Sequence, residues 1–253
     1  MGYAFLDHHG ILAFAHRGDH ESGPENTMPA FAGAVSKGFD YLETDVHCSD
    51  DDVLLAFHDH QLDRVTDMTG MIAQQPYASI RQARVAGSEP IPRLEELFSA
   101  FPSTRFNIDL KADNSLLPFI KLVRKSGCQD RICVGSFSDA RLSAFRQEFP
   151  RVCTSMGPRE VLRARLASFY LPAGSLAAGC AQVPVRHKQI PIVDFRFVRA
   201  MKARSIQTHV WTINSVDQMN HLLDVGVDGI MTDYPSRLKQ VLIKRGLWTQ
   251  ASS

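Results

Sequence analysis

Four short stretches carry residues able to move protons and hold charge. "AHRG" (15–18) offers His16 and Arg17, "LETD" (42–45) offers Glu43 and Asp45, "FHDH" (57–60) offers His58 and Asp59, and "IDLK" (108–111) offers Asp109 and Lys111. Each lies at or near the end of an apolar run with strand composition. Side chains alternate across a strand, so Glu43 and Asp45 share a face, as do Asp109 and Lys111. Glu43, Asp45 and Asp109 supply only oxygen, which suits Mg²⁺, Ca²⁺ or Mn²⁺ better than zinc. Arg17 and Lys111 suit clustered anionic oxygens such as a phosphate. His16 and His58 come from different strands and can face each other across a substrate, one as base and one as acid. Metal, two cations and two histidines together fit cleavage of a phosphate diester. One such pair alone reads as a solvated strand edge. Four at consecutive strand ends read as chemistry, because clustered buried charge is costly unless paired or holding an ion.

The elements that must position these residues alternate along the whole chain. Strand patterns fall at 11–15, 41–46, 53–57, 105–110, 131–136, 151–155, 181–185, 208–213 and 229–232. Helical patterns fall near 29–37, 93–100, 115–126, 139–148, 158–166, 195–204, 215–225 and 235–245. Pro29 follows Thr27 as a first-turn proline, and Ser215 with Gln218 spells a capping box. Gly38, Gly127 and Gly226 stand where helix ends want a left-handed residue. Repeated β–α units imply a parallel sheet, and about eight of them imply an α/β (β/α)₈ TIM barrel. The barrel is expected to be distorted. Strands 41–46 and 53–57 are too close for a crossover helix and must pair antiparallel. Residues 59–92 lack a long helix and read as an insertion after the third strand. No linker divides residues 1–253, so one domain is expected.

Composition narrows the function classes. A net charge of +1 gives no general pull toward nucleic acid or an acidic membrane. The five cysteines are scattered without a CxxC step, which suits reduced thiols in the cytoplasm. No run approaches the ~18 apolar residues of a membrane helix, and no signal peptide or stable membrane anchor is expected. His8, His9 and His20 read as surface, and Arg163, Arg165 and Arg186 as a solvated face. His58 and His60 form an HxH pair of the kind zinc hydrolase barrels use. That reading needs further histidines, and His187, His209 and His221 do not end a strand beside an acid.

"AHRG", with "PENTMPAFAGAVSKGFDYLETDVHCSDDDVLLAFHDHQLDRVTDMTG", "IPRLEELFSAFPSTRFNIDLK" and "VWTINSVDQMNHLLDVGVDGIMTDYP", resembles the glycerophosphodiester phosphodiesterase family. The resemblance covers about residues 11–245 and is thinnest over 150–200. It implies a TIM barrel with an insertion after the third strand and metal-dependent hydrolysis of glycerophosphodiesters to an alcohol and glycerol 3-phosphate. By motif it implies His16 and His58 as the catalytic pair, Arg17 and Lys111 as phosphate binders, and Glu43 and Asp45 as metal ligands. The third ligand is usually a glutamate. Asp109 stands there, one methylene shorter, which bears on metal distance and preference. Glu25 and Asn26 are expected to hold the loop after the first strand. Trp211 is expected to line the pocket beside the substrate's alcohol or glycerol part, and Ser136-Phe137 to pack there or touch substrate. A small soluble diester is the expected substrate. A lysophospholipid is the alternative, with 167–182, Trp211 and parts of 59–92 as the apolar surface it would need. A catalytically silent phosphate-ester-binding barrel is the alternative from another class. Head group, native metal, the division of roles between the histidines and oligomeric state stay open.

Overall fold

The computed structural model describes residues 2–249. Eight strands run parallel around a nearly closed barrel: β1 (Leu12–His16), β2 (Tyr41–Cys48), β4 (Arg105–Leu110), β5 (Ile132–Gly135), β6 (Cys153–Thr154), β7 (Cys180–Pro184), β8 (Gln207–Trp211) and β9 (Gly229–Thr232). Their order is β6-β5-β4-β2-β1-β9-β8-β7, and a parallel bridge from Ser155 to Cys180 joins the two ends. The remaining strand, β3 (Leu54–Ala56), pairs antiparallel with the end of β2, as the short connection requires.

A helix follows each barrel strand: α1 (Met28–Ser36), α2 (Leu94–Ala100), α3 (Leu116–Ser126), α4 (Asp139–Glu148), α5 (Pro158–Ala167), α6 (Phe195–Lys202), α7 (Val216–Val225) and α8 (Pro235–Lys244). Pro29, Pro158 and Pro235 occupy first turns, where no N–H bond is lost. Gly127 and Gly226 close α3 and α7 in the left-handed conformation. The capping box expected at Ser215 does not form: Ser215 is exposed and its side chain caps nothing. A reciprocal carboxylate bond appears instead at α2, where Glu96 accepts from the Arg93 N–H at 2.9 Å.

Three apolar clusters hold the molecule. The largest lies between barrel and helices and includes Leu42, Val46, Phe106 and Ile108. A second fills the barrel floor, where Phe5, Phe14, Tyr41 and Met231 pack with Cys133, Cys153 and Cys180. The turn Ala4–Leu6 plugs that floor, and the Tyr41 hydroxyl donates to the Phe5 carbonyl at 2.9 Å. The third belongs to the insertion after β3, which has one helical turn (Tyr77–Ile80) and a hairpin of Arg84–Val85 with Glu89–Pro90. Its core is Leu55, Phe57, Leu62, Ile72, Ile80, Ala83, Val85 and Ile91. A second small hairpin, Arg186–His187 with Ile190–Pro191, follows β7.

Candidate active site

Strand register sets the site. His16 pairs with Glu43, Glu43 with Asn107, and Asp45 with Asp109. Within each strand the alternation turns these residues into the barrel, while Leu42, Thr44 and Val46 face outward. The expected residues His16, Arg17, Glu43, Asp45, His58, Asp109, Lys111 and Trp211 all line one cavity of about 590 Å³. It opens at the C-terminal ends of the strands, where barrels of this type place their chemistry.

Both histidines are held in the same way. His16 Nδ1 lies 2.6 Å from Asp233 Oδ1, and His58 Nδ1 lies 2.5 Å from Asp59 Oδ1. A carboxylate accepts only, so each Nδ1 carries the proton and each Nε2 is left for the cavity. Asp233 is fixed in turn by the Asn214 amide at 2.7 Å. Asp59 is gripped by Arg64, whose hydrogen bond is the main cause holding its pKa at about 2. Burial opposes protonation of His16, but the Glu43 charge and the Asp233 hydrogen bond outweigh it and raise its pKa.

The carboxylates are tied to cations. Asp45, buried, receives Arg17 Nε at 2.9 Å and Lys111 Nζ at 2.8 Å. Lys111 also reaches Asp109 Oδ2 at 2.7 Å, so its ammonium lies between two carboxylates. Burial works against ionisation of Asp45, but Lys111 and Arg17 outweigh it and hold the carboxyl below its usual range. Glu43 goes the other way. Burial first, and the Asp45 charge second, push it up to about 7. Its Oε2 accepts from the Arg17 backbone N–H at 3.1 Å and stands 3.8 Å from His16 Nε2.

The donor set fits a hard divalent cation. It is all oxygen, and Asp109 Oδ1 is buried with no hydrogen-bond partner. A lone lone-pair oxygen inside a barrel wants a cation or a donor. Glu43, Asp45 and Asp109 would hold the ion, with Lys111 displaced from between Asp45 and Asp109 toward a substrate phosphate. The zinc reading of the HxH pair finds no support. His60 is exposed and meets His47 edge to face, ring centroids 4.8 Å apart, rather than lining the cavity.

Glu43 gives a sign that can be checked. Its folded pKa of about 7 lies above the ordinary 4.5. The folded state therefore favours the protonated carboxyl, and stability is lost as pH rises through that window. In chelated protein, Glu43→Gln should raise the melting midpoint near pH ~8 and leave it nearly unchanged near pH ~5, where the wild-type carboxyl is already neutral. Equal midpoints near pH ~8 would show that the ionised carboxylate is tolerated without a metal.

The loop of 17–26 is built to hold Arg17. Arg17 has φ 57° and Gly18 φ 89°, and a Cβ on Gly18 would lie 2.7 Å from Ala30. Glu25 binds Arg17 at 3.0 Å and Arg64 at 2.7 Å, linking the first strand's rim to the insertion. The Asn26 amide donates to Asp45 at 3.2 Å, and its oxygen accepts from Thr44 at 2.8 Å.

Asp233 was missed by sequence reasoning as the partner of His16. The signal was present in "TDYP", where it ends the last strand. His20 is not the surface residue expected: it is half-buried, with Nε2 3.8 Å from Asp233 Oδ1. His8 is half-buried too, bonded to Thr249 at 3.0 Å. Arg165 departs from a solvated face, since it pairs with Asp194 at 2.7 Å and lines the cavity.

The apolar wall also differs from expectation. Residues 59–92 contribute nothing to the cavity lining, and from 167–182 only Gln182 does. The wall is made by Met156, Val161, Leu162, Val183, Ile190 and Ile192, from α5, β7 and the hairpin after it. Phe137 and Trp211 line the same cavity and meet edge to face, ring centroids 6.0 Å apart. Ser136 is spent on structure, donating to the Leu110 carbonyl at 2.8 Å.

Comparison with known proteins adds an independent line. Residues 16–237 match the model of the glycerophosphoryl diester phosphodiesterase family. A protein of Mycobacterium tuberculosis named "Probable glycerophosphodiester phosphodiesterase 2" is 36% identical over 257 residues, covering 98% of this chain and 96% of its own. A lysophospholipase D of Homo sapiens is 28% identical, covering 94% of this chain and 87% of its own. Among solved structures, an Oleispira antarctica phosphodiesterase in complex with the product sn-glycerol-3-phosphate superposes with a TM-score of 0.78 at 21% identity, covering 92% of this chain and 97% of that one.

Proposed function

Because the chain belongs to the glycerophosphoryl diester phosphodiesterase family, we propose that it hydrolyses glycerophosphodiesters to an alcohol and glycerol 3-phosphate with a divalent cation, Mg²⁺, Ca²⁺ or Mn²⁺, held by Glu43, Asp45 and Asp109. The observation that carries the reading is the pair of histidines, each anchored through Nδ1 to a carboxylate and each leaving Nε2 to one cavity. When bound, the cation supplies charge stabilisation to the phosphoryl oxygens. Arg17 and Lys111 bind the phosphate and offset the charge that grows on it. One imidazole takes the proton of the attacking hydroxyl; where this is water, glycerol 3-phosphate forms directly, and where it is the hydroxyl on the substrate's neighbouring carbon, a cyclic phosphate forms and water opens it in a second step. The other gives a proton to the leaving oxygen. Asp233 and Asp59 hold each ring by its Nδ1–H, so the base presents a bare Nε2 and the acid, as an imidazolium, a protonated one. The enzyme works as one domain in the cytoplasm, where its five buried, unpaired thiols stay reduced. No helix among the described residues is long and apolar enough to cross a membrane.

The apolar wall supports a second reading, in which a lysophospholipid is cleaved better than the short diester expected from the sequence. A trough lined by Leu162, Val183, Ile190 and Ile192 gives an acyl chain somewhere to leave water. Burying two CH₂ groups contributes about 1.6 kcal/mol, more than the ~1.4 kcal/mol of a tenfold preference. Turnover of glycerophosphocholine is expected, with kcat/KM for lysophosphatidylcholine below its micelle concentration at least ~10-fold higher. Leu162→Ser with Ile192→Ser should remove the preference and keep the short substrate's rate. A lysolipid no better than the short diester removes the acyl-chain reading and leaves the hydrolysis standing.

A further inference from the structure

We propose that the apolar half of the catalytic rim docks onto a lipid bilayer carrying anionic headgroups. Six large apolar side chains stand out in solvent at that end of the barrel: Leu117, Phe137, Leu162, Ile190, Phe195 and Val216. Five of them are more than 60% exposed. Leu117, Phe195 and Val216 sit in the first turns of α3, α6 and α7, Phe137 follows β5, Leu162 is on α5, and Ile190 is in the hairpin after β7. First turns after barrel strands lie on the catalytic face, so these residues crown the mouth on one side. Single exposed apolar residues are ordinary, but a group of this size on one face marks an interaction surface.

Charge selects the partner. From 156 to the first turn of α6 at 196, the chain holds six Arg and Lys against two acids, Glu160 and Asp194. Both acids are spent in ion pairs with Arg146 and Arg165. Arg159, Arg163, Arg186, Lys188 and Arg196 are exposed among the apolar residues. Across the mouth, residues 49–92 hold seven acids and three bases. A chain of net charge +1 has thus sorted its charge across its own active site. Apolar residues set among cations suit the interface of an anionic bilayer. Leu162 and Ile190 belong both to the patch and to the cavity lining, so a lysolipid held at the patch lies next to the cavity. That last step rests on the acyl-chain reading above; the docking does not.

The test is co-sedimentation with vesicles of phosphatidylcholine, with and without phosphatidylglycerol, at low and high salt. Wild-type protein should sediment with the anionic vesicles and be released by salt. Phe195→Ser with Val216→Ser, and separately Arg159→Glu with Arg163→Glu and Arg196→Glu, should each weaken this at least ~10-fold while glycerophosphocholine turnover is unchanged. None of these residues lines the cavity. Sedimentation needs no turnover, so the result reads independently of what the enzyme cleaves. Absence of binding at low salt, equal binding to phosphatidylcholine alone, or variants that sediment like wild type would overturn the proposal.

A different set of residues carries a second inference. Cys133, Cys153 and Cys180 project from β5, β6 and β7 into the barrel floor, and their sulfurs lie within 4.8 Å of one another. Cys133 Sγ and Cys180 Sγ are 3.7 Å apart. Two thiolates on one tetrahedral zinc, each at ~2.3 Å, stand about 3.8 Å apart. His209 is fully buried nearby, but its ring nitrogens face Gln182 at 3.4 Å and Gln207 at 3.0 Å, so the cluster is one of three thiols. We infer that these three thiols form a site for a thiophilic ion of the Zn²⁺ class, separate from the carboxylates above. It would brace three neighbouring strands where the floor cluster is smallest in side-chain volume. Protein refolded with Zn²⁺ and then stripped by chelator should keep one ion per chain, released by a mercurial. Protein refolded with Co²⁺ should show thiolate-to-cobalt absorption, lost in Cys133→Ala with Cys180→Ala and kept in Glu43→Gln. No retained zinc and no cobalt band in folded wild-type protein would overturn it.

Discussion

His16→Ala and His58→Ala are each expected to lower kcat at least ~10²-fold, the scale of a positioned acid or base. Neither should unfold the barrel, since both side chains sit at the rim and not in an apolar cluster. In the proposed mechanism the two rings serve a single proton exchange across one phosphorus. The double variant should therefore be little worse than either single one. Asp233→Asn tests the support: it keeps the shape, loses the charge that favours the His16 proton, and should move the pH profile of kcat more than KM. Steady-state kinetics on glycerophosphocholine read all four. Losses that multiply would mean the histidines act in separate steps. A wild type that binds phosphate esters tightly and turns over no phosphodiester would favour a silent binding barrel.

Removing divalent metal should cost as much. A cation at developing phosphoryl charge contributes several kcal/mol, at least ~10²-fold in rate. Chelated protein should be inactive and recover with Mg²⁺, Ca²⁺ or Mn²⁺. In the structure the Lys111 ammonium fills the space between Asp45 and Asp109. An ion held by Glu43, Asp45 and Asp109 would compete with Lys111 for two of these carboxylates, so Lys111→Met should tighten metal binding while weakening the phosphate's. Asp109→Asn should abolish the ion's effect on the melting midpoint, a readout that needs no turnover. Full activity after exhaustive chelation, confirmed by metal analysis, would remove the metal from the mechanism.

The charged rim was legible because strands have a period of two. Glu43 with Asp45, and Asp109 with Lys111, are fixed to one face by spacing alone. The antiparallel return of β3 was legible because so few residues join it to β2. Closure of the barrel was not. His16 meets Asp233 only because β1 pairs with β9, a contact spanning 217 residues that no local pattern records. The apolar wall failed for the same reason. The sequence pointed to the greasy run of 167–182, but the wall draws single residues from α5, β7 and the following hairpin, each unremarkable in its own segment. Ser215 shows the limit of a local motif: its spacing spells a cap, yet an exposed hydroxyl can bond water instead of the helix.

The insertion after β3 has an apolar core of its own, and His58 stands at its edge with Asp59 and Arg64. One of the two proposed proton-moving histidines is thus carried on a unit with a core separate from the barrel's, joined to the first strand's rim through Glu25. Amide exchange should find this unit opening at lower free energy than the barrel strands. On warming, the enzyme would then fall silent before it melts, and cooling would restore it without any refolding of the barrel.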